Sequence, residues 1–246
     1  MLNHYMFDLN RDWAWQTQVE SQQRMAVYNN WLPQVHADLH EMFKDDPYYF
    51  APAAQPYHQY LTKWQSDFQH SIGKNHARYF DQNGWLYYTK EIFDLFYPSY
   101  GDTYPMFNGA IGMTYEQGGS GSASRKVDMN NGETVSLKDR VNHHFTTSLS
   151  TIEMSSKNAS ELLEKYVSYF KSHSTNPIGK YKSFVIRHDN AEGKKEALLD
   201  LLDKNKINYG LTNATSSYSG YNYETGKTTS FKVNNDDIII NAYQPK

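Results

Sequence analysis

The stretch Gln34-Val35-His36-Ala37-Asp38-Leu39-His40-Glu41 alternates between apolar and polar side chains. A period of two residues is typical of a β-strand that buries one face. The other face of this strand carries His36, Asp38 and His40, which are residue types that bind metal ions. We interpret His40, at the end of the strand, as a candidate zinc ligand. The stretch alone fits solvated side chains on an edge strand equally well.

Two further segments carry residues with recognisable chemistry. The run Phe7-Asp8-Leu9-Asn10-Arg11-Asp12-Trp13 places an amide donor, Asn10, beside Arg11. A guanidinium is a planar fork that binds a carboxylate through two hydrogen bonds. Further along, Met113-Thr114-Tyr115-Glu116-Gln117 reads as a strand that carries one carboxylate, Glu116.

Together these segments resemble the zinc carboxypeptidase family. The family has a D-x-N-R-[ND]-W run, a zinc histidine at the end of a core strand and a T-[FY]-E run on a later strand, in the order found here. The resemblance implies that Asn10 and Arg11 bind the C-terminal carboxylate of a peptide substrate. It also implies that His40 binds Zn²⁺, that Glu116 is the general acid/base, and that Asp8 orients a zinc-bound histidine.

The segment Tyr97-Pro98-Ser99-Tyr100-Gly101 resembles the family's Y-x-x-S-G loop, whose tyrosine closes over the substrate. Tyr97 matches that tyrosine, whereas Tyr100 replaces the serine. The resemblance therefore implies a substrate-binding role for Tyr97. The preferred C-terminal side chain is left open, because Asp102 would favour a basic residue and Tyr104 an aromatic one.

The family's H-x-x-E motif, which supplies the first two zinc ligands, is missing: no histidine here has a glutamate three residues later. We therefore expect the chain to be the C-terminal part of the catalytic domain, with the motif before residue 1. A catalytic zinc normally has three protein ligands, so the chain alone should be inactive. The resemblance implies a bacterial protein, secreted or periplasmic, although no signal peptide is visible.

Composition excludes several classes of partner. The formal net charge of −3 leaves no basic footprint for nucleic acid, so peptide or protein C-termini remain the expected partners. The chain has no cysteine, which excludes disulfides and a thiolate nucleophile. No apolar run approaches the roughly 20 residues that span a bilayer.

Two other functions stay open. A deacylase of N-acyl amino acids in the same superfamily also has an Asp-Leu-His run followed by a glutamate, but the complete Asn-Arg-Asp-Trp run favours the peptidase. A non-catalytic, aromatic-rich module that binds glycans would explain the 21 tyrosines, if they form an exposed row. Helical spacing of the aromatic residues over 56–80 favours core packing instead.

The pattern of elements predicts an α/β fold in two parts. Residues 1–174 should form an incomplete carboxypeptidase-like mixed sheet flanked by helices, and residues 180–246 a partial Rossmann-like or amidotransferase-like α/β module. Helices are predicted at 15–31, 56–80, 137–154, 159–173 and 191–204. Strands are predicted at 36–40, 85–88, 110–117, 181–188, 207–211 and 237–242, with a hairpin at 221–233. Residues 45–56 and 94–105 are predicted loops.

Two conspicuous segments are assigned no chemistry. The run Gly118-Gly119-Ser120-Gly121-Ser122-Ala123-Ser124 lacks the lysine of a phosphate-binding loop, and we interpret it as a mobile loop. The pair His143-His144 falls on a predicted helix and is interpreted as a surface pair.

Overall fold

The computed structural model describes residues 2–119, 126–130, 132–213 and 215–245. It is a mixed α/β structure that divides into two compact units, Met1–Val167 and Ser168–Lys246, and the division falls within a helix. Residues 120–124 of the glycine-serine run lie outside the described residues. No helix in the described segments is long and apolar enough to cross a membrane.

The first unit contains most of the elements. They are α1 (Val19–Trp31), β1 (Val35–Met42), β2 (Tyr48–Tyr49), β3 (Ala54–Tyr57), α2 (Lys63–Asn83), β4 (Tyr87–Tyr88), β5 (Asp94–Leu95), α3 (Thr103–Met106), β6 (Ile111–Gly118), β7 (Val127–Asp128), β8 (Thr134–Val135), α4 (Leu137–Lys157) and the start of α5 (Ala159–Thr175).

Four strands form the central sheet, in the order β1-β6-β2-β4. β1 and β6 are parallel over their whole length, β2 is antiparallel to β6, and β4 is parallel to β2. β6 is buried at every position because it has neighbours on both sides and cover on both faces. The predicted strands at 36–40 and 110–117 are therefore present, each slightly shifted in its bounds.

The two faces of β1 pack against different clusters. Val35 and Ala37 lie against the main core, built around Phe68 and Ile72 of α2 and Tyr115 of β6. The rings of Trp13 and Tyr28 pack edge-on against His36, on the opposite face. This alternation keeps the face of β1 that carries His36, Asp38 and His40 away from the main core. We call this the titratable face of β1.

Helices α2 and α4 begin where side chains satisfy their first N–H groups. Thr62 with Gln65 forms a capping box at the start of α2, and Ser136 with Asp139 forms one at the start of α4. α1 begins at Val19, later than the predicted residue 15, because Asp12 accepts hydrogen bonds from the backbones of Thr17 and Gln18.

Three predictions for this unit are wrong. Residues 45–56 are not only a loop, because Tyr48 and Tyr49 form a buried strand beside β6. Residues 94–105 include β5 and the start of α3. The pair at 143–144 is half-buried and not fully exposed: His143 contacts Gln117 and the Trp85 ring, and His144 lies 2.8 Å from the Tyr48 hydroxyl.

The second unit holds the end of α5 and a small sheet of its own. Its elements are β9 (Ser183–Ile186), α6 (Glu192–Lys204), β10 (Tyr209–Leu211), β11 (Ser216–Asn222), β12 (Lys227–Val233) and β13 (Ile238–Asn241). β13 is the middle strand of the order β10-β13-β9 and is antiparallel to both neighbours. β11 and β12 form a separate hairpin. The antiparallel pairing differs from the parallel sheet of a Rossmann-like module.

Candidate active site

The predicted site residues come from separated parts of the sequence and meet at one pocket of about 310 Å³. Asp8, Asn10, Arg11, His40 and Glu116 all line it. The pairing of β1 with β6 brings the last two together, since His40 and Glu116 are direct partners in the parallel register. The pocket is also lined by Ile92, Phe93, Asp94, Tyr100, Asp102 and Thr114.

Asn10 is held in one orientation by its neighbours. Its Oδ1 accepts a hydrogen bond of 2.9 Å from Trp13 Nε1, which turns the amide nitrogen toward β1. Asn10 Nδ2 then donates to Asp38 Oδ2 over 2.9 Å and lies 3.0 Å from His40 Nε2. The run Phe7–Trp13, which we call the clamp run, is thereby attached to β1.

His40 and Asp38 form an ion pair on the titratable face of β1. Their Nε2 and Oδ2 atoms are 2.8 Å apart. This hydrogen bond raises the pKa of His40, against the effect of burial. Burial would raise the pKa of Asp38, but the hydrogen bonds from His40 and Asn10 outweigh burial and lower it. The sequence motifs assign no role to Asp38, although it is the closest charged partner of the candidate zinc ligand.

Glu116 is a buried carboxyl group with an unusual proton affinity. Burial raises its pKa to about 7, the nearby charges of Asp38 and Asp102 add to the increase, and His40 opposes it. A carboxyl group with a pKa near neutrality can both accept and donate a proton at physiological pH.

Asp102 is a second buried carboxyl group of the pocket. It is 5% exposed and accepts hydrogen bonds from Thr114 Oγ1 (2.8 Å) and Thr103 Oγ1 (3.1 Å). Burial raises its pKa to about 6. Its backbone carbonyl lies so close to Gly112 that a Cβ at this glycine would sit 1.8 Å from the oxygen. A small residue in β6 therefore lets Asp102 approach the sheet.

Arg11 extends over the pocket with about half of its side chain exposed. Its guanidinium lies 4.6 Å from the centre of the Tyr100 ring, and the nearest carboxylate oxygen, on Asp8, is 3.9 Å away. Asp8 also caps the short helical turn Leu9–Arg11 by accepting from the backbone of Asn10. The Arg11 guanidinium therefore has N–H groups that can donate hydrogen bonds to a ligand in the pocket.

Tyr97 is the one predicted site residue that does not line the pocket. Its hydroxyl accepts a hydrogen bond of 2.6 Å from Trp15 Nε1, and its ring packs edge-on against Tyr100. Tyr100, which stands where the family motif has serine, lines the pocket instead. Ser99, between them, is fully buried and accepts a hydrogen bond from the backbone of Ala14, joining this loop to the clamp run.

The groups in the pocket do not complete a zinc site. Among the residues that the structure describes, no group of three histidine, cysteine, aspartate or glutamate side chains is arranged to hold a metal ion. His40 is the one imidazole that lines the pocket, and its Nε2 faces Asp38. Zinc normally takes three protein ligands at a catalytic site, so these residues do not hold it by themselves.

Comparisons of the chain with models of protein families, with curated proteins and with solved structures return no match. The sequence motifs and the geometry of this pocket are therefore the observations that bear on function.

Proposed function

We propose that this chain carries the substrate-binding and proton-transfer groups of a zinc carboxypeptidase, which hydrolyses the last peptide bond of a peptide or protein. The observation that carries the proposal is the position of Glu116. It lies in register with His40 at a pocket that Arg11 and Asn10 also line. Asn10 and Glu116 are separated in sequence by more than half of the first unit, so it is the fold that brings them to the same pocket.

Arg11 would recognise the substrate's free carboxylate. Its guanidinium offers paired donors, and stacking on Tyr100 restricts the number of directions they can take. The hydrogen bond from Asn10 to Asp38 holds the adjacent backbone turn in place, so the backbone that carries the Arg11 side chain is fixed. Recognition of a terminal carboxylate is what distinguishes a carboxypeptidase from an endopeptidase.

Glu116 would take the proton from the attacking water and give it to the leaving amine. Both steps need a carboxyl group that changes its protonation state near the working pH, which a pKa of about 7 provides. His40 contributes one possible zinc ligand. The remaining ligands would have to come from outside the described residues, and we propose that the chain alone is inactive for that reason.

Binding of a free carboxylate tests this proposal without requiring turnover. A dipeptide with a free C-terminus, titrated into the protein and followed by NMR, should shift the indole Nε1–H signal of Trp13, which is bonded to Asn10. The same dipeptide with an amidated C-terminus should not. Arg11→Ala should weaken binding of the free acid at least tenfold.

The matched control is Arg78→Ala, which removes the same charge from α2, outside the pocket lining. It should leave binding of the free acid unchanged. Equal binding of the acid and the amide, or equal losses in the two variants, would contradict a carboxylate clamp at Arg11.

A second candidate function is supported by the second unit. Tyr181, Tyr221 and Tyr223 form an aromatic cluster there, with ring centres 5.2 to 6.4 Å apart. Tyr223 is 71% exposed. Exposed tyrosine faces stack on sugar rings, so this cluster favours a glycan-binding role for the unit. Retention on insoluble polysaccharide that Tyr223→Ala abolishes would support it.

A further inference from the structure

The loop 97–101 lies alongside the end of the clamp run, and two hydrogen bonds to Ser99 join them. Trp13 N donates to the Ser99 carbonyl over 3.4 Å, and Ala14 N donates to Ser99 Oγ over 2.9 Å. A Cβ at Gly101 would come within 3.0 Å of Trp13 Nε1, which shows how closely the loop and the clamp run approach. Their relative position is therefore fixed by contacts near the backbone.

Three aromatic side chains form a row across these two segments, and the row ends at Arg11. Trp15 Nε1 donates a hydrogen bond of 2.6 Å to the Tyr97 hydroxyl. The Tyr97 ring meets the Tyr100 ring edge-on, with centres 5.0 Å apart and an interplanar angle of 67°. The Arg11 guanidinium lies 4.6 Å from the centre of the Tyr100 ring. We call Trp15, Tyr97 and Tyr100 the aromatic row.

The aromatic row begins outside the candidate active site and reaches into it. Tyr100 and Arg11 line the pocket, whereas Trp15 and Tyr97 do not. Trp15 is 50% exposed, and Tyr97 is half-buried. Any effect of Trp15 on a ligand in the pocket must therefore pass through Tyr97 and Tyr100.

The other polar contacts of Arg11 among the described residues are made by a single atom. Arg11 Nη1 donates to the Asn10 carbonyl over 3.1 Å and lies 3.9 Å from Asp8 Oδ2. These contacts allow the guanidinium to pivot about Nη1, which would move its other two nitrogens. The face of the Tyr100 ring restricts that pivot, because the cation is attracted to the face and follows its tilt.

The tilt of the Tyr100 ring depends in turn on its neighbours in the aromatic row. Within the described residues the Tyr100 hydroxyl forms no hydrogen bond, and Tyr97 supplies the ring that packs against it. The Tyr97 ring is itself held at its hydroxyl by Trp15. Each member of the row thus restrains the next one.

We propose that Trp15 and Tyr97 are positioning residues for Arg11, which hold the Tyr100 ring at the tilt that directs the guanidinium into the pocket. An arginine side chain loses rotational freedom when it is held against a ligand. Fixing the side chain before binding removes part of this cost, so a carboxylate binds more tightly. That Arg11 receives a carboxylate rests on the proposed function, whereas the effect of the row on the guanidinium does not.

The alternative is that the Trp15 hydrogen bond only joins the loop to the clamp run. The two bonds to Ser99 already do this. Loss of the Tyr97 hydroxyl should therefore leave the two segments together and change the direction of Arg11.

The test uses two variants of the full chain, each of which removes one partner of the hydrogen bond and keeps an aromatic ring. Trp15→Phe removes the donor, and Tyr97→Phe removes the hydroxyl. In NMR without ligand, the ring current of Tyr100 should shift the side-chain signals of Arg11, which are assigned by their loss in Arg11→Ala. Both variants should move these signals toward those of a mobile arginine. The Trp13 indole signal should stay, because its hydrogen bond does not involve the row.

Binding of the free-acid dipeptide should weaken by roughly threefold to tenfold in each variant, which is the range for loss of one hydrogen bond. The double variant should bind no more weakly than either single variant, because both side chains act through the same bond. Trp31→Phe and Tyr60→Phe are the matched controls, since they make the same substitutions outside the pocket lining. They should leave the Arg11 signals and the binding unchanged.

Arg11 signals that move in neither variant would overturn the proposal, as would additive losses of binding in the double variant or equal losses in the controls. Loss of the Trp13 indole signal in the variants would show that the loop and the clamp run had separated, and would also overturn it. Equal binding of the free acid and the amide by wild type would contradict the proposed function instead. The Arg11 signals would then still show whether the row positions the guanidinium.

Discussion

His40 and Glu116 are register partners across the parallel strands β1 and β6. Partners in a parallel pair place their side chains on the same face of the sheet, so the imidazole and the carboxyl group lie side by side. Each favours the charged form of the other, but burial dominates at Glu116 and keeps its pKa near 7. The pair therefore combines a candidate metal ligand with a group able to transfer protons.

Glu116→Gln should stabilise the protein at alkaline pH. The folded state raises the pKa of Glu116 from 4.5 to about 7, so it binds the proton more tightly than the unfolded state does. Stability is therefore lost as pH rises from 4.5 through 7, and glutamine removes this loss. Urea unfolding should show a gain of about 1 to 2 kcal/mol at pH 8, reduced because the pocket is open to solvent.

The gain from Glu116→Gln should shrink towards pH 4.5 and disappear below it, where the carboxyl group becomes protonated in both states. A gain that is the same at pH 4.5 and pH 8 would mean that burial of the charge is not its cause.

Asp102→Asn should lower the pKa of Glu116. The negative charge of Asp102 is one of the causes that raise this pKa, and asparagine keeps the size of the side chain while removing the charge. Carbon-detected NMR of the Glu116 carboxyl group would follow the titration. Asp94→Asn is the matched control, because Asp94 lines the same pocket but is not one of the main causes of the raised pKa of Glu116. An equal change in both variants would contradict a specific effect of Asp102.

The sequence allowed prediction of β1 and β6 because apolar side chains recur at every second position in both strands, which is a local signal. The clamp run could also be predicted from the sequence, because Asn10 and Arg11 are adjacent and form a motif that can be recognised without the fold. It could not predict the burial of Asp102. That depends on the close approach of the Asp102 carbonyl to Gly112 in a different element.

The errors have a common physical cause, which is that polar residues were assigned to the surface. His143 and His144 have partners in β6, β2 and the segment before β4, and those contacts form only after the sheet is assembled. Tyr48 and Tyr49 lie in a segment rich in aspartate and proline, which favours a loop locally. Their burial beside β6 outweighs that preference.

The chain alone should bind Zn²⁺ weakly. It offers His40 as a single imidazole at the pocket, and that ring already donates to Asp38. Calorimetry should show an affinity typical of an isolated imidazole, in the millimolar range by order of magnitude, and no release of heat at 1:1 stoichiometry in the micromolar range. Stoichiometric sub-micromolar binding would mean that residues of this chain complete a metal site.

Gly101→Ala should disturb the pocket more than it disturbs the fold. A Cβ at this position would lie 2.3 Å from Asn10 Oδ1 and 2.4 Å from Asp38 Oδ2, so both side chains must move. Binding of a free-acid dipeptide should fall severalfold, and the indole signal of Trp13 should shift. Gly193→Ala is the control. Its Cβ would meet nothing within 4 Å, and alanine in helix α6 should stabilise the protein by about 0.5 to 1 kcal/mol.

His76 should make the protein sensitive to acid. It is fully buried between Ser150 Oγ (2.7 Å) and the Tyr115 hydroxyl (3.0 Å), and burial lowers its pKa from 6.5 to about 3. The unfolded state therefore binds the proton more tightly. Stability should fall as pH decreases from 6.5 towards 3, by up to about 1.4 kcal/mol per pH unit for this one proton.

His76→Gln separates this effect from that of the other buried histidines. Glutamine can still form hydrogen bonds with Ser150 but does not titrate. Its less suitable geometry should cost about 1 to 3 kcal/mol at pH 7. The difference between wild type and variant should then narrow steadily between pH 6 and pH 4 in urea unfolding experiments, because only wild type loses stability at this position. Unfolding free energies that stay parallel over this range would show that another group takes up the proton.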